Sequence, residues 1–175
     1  AAKPGGAQVR WVCADARGLD LGGHFDLVVM TCHAFQCFLT DEDRVALLAT
    51  IARHLAPEGL FLFDSRNPSC AEWQGWTPEA TREIRPHPTL GPLESWNDVV
   101  WDASRAVATY QTFYRPVTGD QCFQAHSAIG FTNQSRLASL IDAAGLRVDR
   151  WLGGWDGAPF TPEAAEIIPL GGLAL

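Results

Sequence analysis

Three short polar clusters carry residue types that can do chemistry. Asp15-Ala16-Arg17 follows the apolar run Val9 to Cys13, Thr31-Cys32-His33 follows Phe25 to Met30, and Asp64-Ser65-Arg66-Asn67-Pro68 closes the run from Leu60. A carboxylate such as Asp15 or Asp64 accepts hydrogen bonds from amines and amides. An imidazole such as His33 can orient a substrate and take a proton near neutral pH. Beyond them stand Trp73, Trp76, Trp96 and Trp101, whose rings offer broad apolar faces with one polar edge. Each residue also has a structural reading: a turn for Asp15, core for Met30, a satisfied histidine for His33, caps for Asp64 and Asn67, packing for the tryptophans.

The spacing predicts the elements that would hold these clusters. VRWVC (9–13), FDLVVM (25–30) and LFLFD (60–64) read as strands, the second a near-continuous apolar run of the kind buried on both faces. Between the last two lies a helix. Thr40 is its N-cap, Asp41, Glu42 and Asp43 suit its dipole, Leu48, Ile51 and Leu55 form its stripe, and Pro57 with Gly59 stops it. Strand, helix, strand with short joints is the βαβ pattern of a parallel, helix-covered sheet. In such sheets ligands bind beyond the carboxyl ends of the strands, so the three clusters are expected to meet in one cleft.

After Pro68 the character changes. Ser69 to Pro92 reads as a long loop or lid, and Glu94–Trp101, Ala106–Arg115 and Gln121–Phe131 as hairpin-joined antiparallel strands. Asn133 or Thr132 caps a second helix that ends at Gly145, Leu146–Leu152 is a further strand, and Glu166–Leu170 a last one weakened by Pro169. The fold class is α/β, with a parallel sheet and an inserted antiparallel β patch. The division is a core over 1–68, a loop and substrate-side insertion over 69–131, and a core-completing segment over 132–175.

Composition narrows the classes. With 175 residues, 47% apolar and 19% charged, the chain suits one folded domain. A net charge of −7 without a Lys/Arg cluster argues against nucleic acid and against an anionic membrane surface. Five cysteines without a CxxC pair read as reduced thiols of a cytoplasmic protein, with no metal site. The single methionine is Met30 and the chain opens Ala1-Ala2-Lys3-Pro4, so a fragment is expected.

The stretch from Val9 to Pro68, with ADAR at 14–17, FDLVVM at 25–30 and HLAPEGLFLFD at 54–64, resembles the middle and later part of a class I S-adenosylmethionine-dependent methyltransferase of the small-molecule type. The resemblance implies a Rossmann-like sheet of strand order 3-2-1-4-5-7-6, here incomplete, with its first two strands and their glycine-rich loop missing. It implies S-adenosyl-L-methionine as cofactor and a small-molecule methyl acceptor as substrate. By its motifs, Asp15, Ala16 and Arg17 sit by the adenine, Met30 and Thr31 beside the methionine part, and His33 is the catalytic candidate. Asp64, Asn67, Trp73 and Trp76 face the acceptor. Two expectations follow: this chain re-pairs the 9–13 and 25–30 strands or is unstable, and it binds cofactor weakly. The competing reading is a non-catalytic binding or homodimer module built on the Trp-rich patch. A nicotinamide dehydrogenase fits least, because its glycine fingerprint is absent.

Overall fold

The computed structural model describes residues 6–174; the ends of the expected first and last segments (residues 1–5 and 175) lie outside them. The element order is β1 (Phe25–Met30), α1 (Asp41–His54), β2 (Leu55–Phe63), β3 (Ser65–Arg66), α2 (Pro78–Thr81), β4 (Glu83–His87), β5 (Gly91–Asp102), β6 (Val107–Pro116), β7 (Phe123–Gly130), α3 (Gln134–Ala143), β8 (Leu146–Leu152) and β9 (Glu166–Leu173). They form two sheets. In the first, β1 pairs parallel with β2, and β9 runs antiparallel beside β2 and β3 on one side and β8 on the other. This matches the 4-5-7-6 part of the strand order that the resemblance implies. The second is an antiparallel meander, β4-β5-β6-β7.

The helix ends are set by the residues the sequence offered. Thr40 accepts from the Asp43 amide and Asn133 from the Arg136 amide, each satisfying an orphan donor of a first turn. Gly145 takes φ +76° after α3, a conformation that favours glycine. Both long helices lie on one face of the first sheet. There Leu47, Leu48 and Ile51 of α1 meet Leu137, Leu140 and Ile141 of α3 over Phe61, Phe63 and Ile167. The helices are also clasped at their starts, where Asp41 takes Arg44 from its own helix and Arg136 from α3.

Four expectations need correction. The 9–13 segment forms no strand and does not re-pair with β1. It has no ladder partner, and Val9, Trp11 and Val12 stand 49%, 74% and 47% exposed. Apolar, β-prone residues do not hold a strand without a neighbour to receive their backbone groups. β1 is buried on one face only: Leu27 and Val29 are exposed because α1 covers the face of Val28 and Met30, and no described element covers the other. The helix stops at His54 rather than at Pro57, and β2 starts at once, its register against β1 irregular before Leu60. The expected lid over 69–92 holds a strand, β4, whose Pro86 is tolerated because β4 is an edge.

Candidate active site

Asp64 lies where β2 ends and β3 begins, and it is 4% exposed. One carboxylate oxygen accepts from the backbone N–H of His33 at 2.8 Å, and the other from Nε1 of Trp155 at 3.3 Å. Cys32 and His33, just past β1, both adopt the left-handed conformation, with φ of 60° and 56°. For residues with a Cβ this conformation is strained by about 1–2 kcal/mol each. The Asp64 bond offsets part of that and fixes where the imidazole points.

The imidazole Nε2 lies 2.8 Å from Oε1 of Glu166, the first residue of β9, and 3.9 Å from Oδ2 of Asp64. An ionised carboxylate only accepts, so Nε2 carries the proton on this side. Nδ1 has no hydrogen-bond partner among the described residues. The other Glu166 oxygen is buried without a hydrogen bond. The arrangement is an imidazole with one ring nitrogen turned toward two carboxylates.

Gln36 ties this centre to both sheets. Fully buried, it donates to the carbonyl of Gly130 at the end of β7 and accepts from the backbone and guanidinium of Arg66. Arg66 carries on to Glu72 at 2.7 Å and lies over the Trp76 ring, 5.3 Å from its centroid.

The Asp15 cluster lies at the same end of the sheet, tethered to α1. Arg17 engages both oxygens of Asp15 and reaches Asp43 in the first turn of the helix. The Arg17 guanidinium holds the Asp15 carboxyl down to about 2, and its own pKa is raised in return, first by Asp15 and then by Asp43. Next to Asp15, Ala16 lines an apolar cavity of about 270 Å³ with Leu19, Val28, Met30, Leu47 and Ile51. Thr31 follows β1 and is exposed.

The sequence-derived residues therefore separate. His33 and Asp64 are in direct contact, Ala16 and Met30 share the apolar cavity, and Trp76 lines a second, polar cavity. Asn67 commits its amide to the carbonyls of Pro162 and Ala164 and caps the turn at Pro68, so it clasps a loop. Trp73 stacks on Trp101 at 3.9 Å and meets Phe131 edge-on, so it is packed into the meander. Glu166 and Trp155 went unread as site residues. A lone carboxylate heading the apolar run EIIPL was the available signal for Glu166.

The first 59 residues match the sequence model of a family described as "Methyltransferase domain". The chain is 28% identical over 160 residues to the cypemycin N-terminal methyltransferase of a Streptomyces species, covering 91% of this chain and 63% of that protein. It thus spans less than two thirds of this curated relative's length. Among solved structures, the CcbJ methyltransferase of Streptomyces caelestis superposes with a TM-score of 0.81 at 16% identity, over 99% of this chain and 67% of that one. An S-adenosylmethionine-dependent methyltransferase of Clostridium acetobutylicum gives 0.76 at 12% identity, over 94% and 64%. The fold is thus shared with solved S-adenosylmethionine-dependent methyltransferases, and the first third of the chain matches the methyltransferase-domain family.

Proposed function

We propose that this chain serves transfer of a methyl group from S-adenosyl-L-methionine to the amine of a small molecule, with His33 as the proton acceptor. The observation that carries the reading is the His33–Glu166 contact at 2.8 Å, which leaves Nδ1 of the ring unengaged. The residues present fit the cofactor's adenine half: the apolar cavity by Ala16 and Met30 suits a purine, and the carboxylate at Asp15 suits its exocyclic amine. Asp15, Ala16, Arg17, Met30 and Thr31 would hold it. When bound, its sulfonium supplies an activated methyl group open to in-line attack.

The protein's own part is positioning and proton handling. An amine reaches the site as an ammonium ion and must lose a proton before it can attack. Asp64 and Glu166 favour the cation as it arrives, His33 takes the proton at Nδ1, and the same carboxylates then hold the imidazolium. A placed base contributes roughly 10²–10⁴-fold, and holding two reactants in register about 7–11 kcal/mol. The name of the cypemycin relative, an N-terminal methyltransferase, supports nitrogen as the acceptor atom. Cofactor binding is weak in this chain, because Arg17 occupies both Asp15 oxygens and the 9–13 segment has no strand partner.

Calorimetry with S-adenosylhomocysteine, followed by transfer from labelled S-adenosylmethionine at millimolar concentration to a panel of primary amines, tests this. Expected are weak saturable binding, slow transfer, and a loss of about 100-fold on His33→Ala with product-analogue binding unchanged. A His33→Ala variant within twofold of the parent sinks the assignment of the base. Absence of transfer to every amine sinks the reading.

A further inference from the structure

A polar cavity of about 210 Å³ is lined by Arg66, Trp76, Asn97, Tyr110 and Ile129. It joins the two sheets: Arg66 belongs to β3, Trp76 to the segment after it, Asn97, Tyr110 and Ile129 to β5, β6 and β7. Arg66 stands opposite Glu166 in the β3–β9 register. Opposed residues of an antiparallel pair project from the same face with Cβ atoms about 4.5–5.5 Å apart. Arg66 is therefore the wall of the cavity that stands next to Glu166, the residue in contact with His33.

Its free polar groups share one character. Arg66 spends Nη1 on Gln36 and Nε on Glu72, which leaves Nη2. Asn97 spends its side-chain oxygen on the Thr112 hydroxyl at 2.8 Å, which leaves its NH₂. The Tyr110 hydroxyl has no hydrogen-bond partner among the described residues, and its ring is braced edge-on by Trp76 at 5.7 Å. All three groups line one cavity whose walls hold no carboxylate, although Glu72 pairs with the Nε side of Arg66 and Glu166 stands opposite Arg66 across the ladder. A cavity with spare donors selects a ligand group that offers lone pairs, and a guanidinium beside them selects an anion, most of all a planar carboxylate.

We infer that the Arg66–Asn97–Tyr110 cavity is a carboxylate subsite, so that the methyl acceptor is an amino acid-type zwitterion, its carboxylate at Arg66 and its amine at His33 and Glu166. The inference rests on the proposed function for the amine end only. The carboxylate end stands on the cavity itself.

The test is binding to the unmodified chain, followed by calorimetry and by fluorescence of the tryptophans, with matched sets: alanine, alaninamide and ethylamine; phenylalanine, phenylalaninamide and phenethylamine. The amino acid of at least one set is expected to bind about tenfold or more tightly than its amide and its decarboxylated amine, as charge-assisted bonds require. Arg66→Gln removes that preference, and Tyr110→Phe, which deletes one hydroxyl and keeps the packing, reduces it severalfold. Retention of the preference in both variants, equal binding across every set, or no binding at all overturns the subsite. If the preference is present but no methyl is transferred to the bound acid, the subsite stands and the methyl-transfer reading falls.

Discussion

Removing Asp64 should loosen the fold and the site together, by an amount the structure sets. Its carboxylate holds two donors, the His33 amide and the Trp155 indole. The His33 bond is charge-assisted and partly buried, worth about 1.5–3 kcal/mol when broken. The Trp155 bond counts for less, because that residue is 50% exposed and its N–H can return to water; roughly 0.5–1 kcal/mol is a fair share. Asp64→Ala is therefore expected to cost about 2–4 kcal/mol. Asp64→Asn keeps an oxygen for His33 but sets an NH₂ against the indole N–H, so about 1–2 kcal/mol is lost. Urea unfolding at neutral pH reads both values. Amide hydrogen exchange at His33 separates the causes: protection falls in the alanine variant and persists in the asparagine one. Should Asp64→Ala unfold within 0.5 kcal/mol of the parent, or His33 stay protected in it, the claim that this bond fixes the left-handed turn is refuted.

Three further outcomes follow from the same geometry. A Cβ at Gly171 would collide with the backbone carbonyl of Arg147 across the β8–β9 ladder, so Gly171→Ala should lower the urea midpoint by the equivalent of about 1–3 kcal/mol, and an unchanged midpoint would contradict it. Phe61 is fully buried between the two helices and the sheet; Phe61→Ala should cost about 3–5 kcal/mol by thermal unfolding. The Asp41 carboxyl is held below its usual range by Arg136 first, with Arg44 assisting. A depressed carboxylate adds stability that is present above its unfolded pKa and is lost as pH falls through the lower folded value. Asp41→Asn should thus lower Tm slightly at pH 7, the clasp being partly exposed, and leave it unchanged near pH 2; an equal drop at both pH values would count against the clasp.

Much of the fold was legible because it rests on local chemistry. Thr40 and Asn133 cap helices through their own side chains, Gly145 supplies a left-handed turn, and the meander's strands fall where short turns such as Asp102–Arg105 separate apolar runs. What misled was local preference without a partner. VRWVC has the composition of a strand, yet in the structure it meets no ladder, and Arg17, Leu19 and Leu21 pin the chain after it to α1 instead. β4 escaped for the opposite reason: its Pro86 reads as a breaker, and only the unpaired side of an edge strand makes it harmless.

The site divides along the same line. His33 and Asp64 could be matched because both follow strands of one βαβ unit, and parallel neighbours end together. Glu166 lies 133 residues from His33 along the chain. It arrives only because β9 runs antiparallel to β2 and β3, so that its first residue, not its last, reaches the end where β1 and β2 finish. That reversal needs β9 to lie close against β8, which Gly171 permits by having no side chain where the Arg147 carbonyl passes. A glycine remote from the imidazole is thereby coupled to its carboxylate. Substitution there should disturb the His33–Glu166 contact as well as stability, whereas Phe61→Ala, a cavity of equal or larger cost under the helices, should leave that contact in place. The His33 ring nitrogen shifts by NMR distinguish the two, and identical shifts in both variants would show that β9 is not held in place by its pairing with β8.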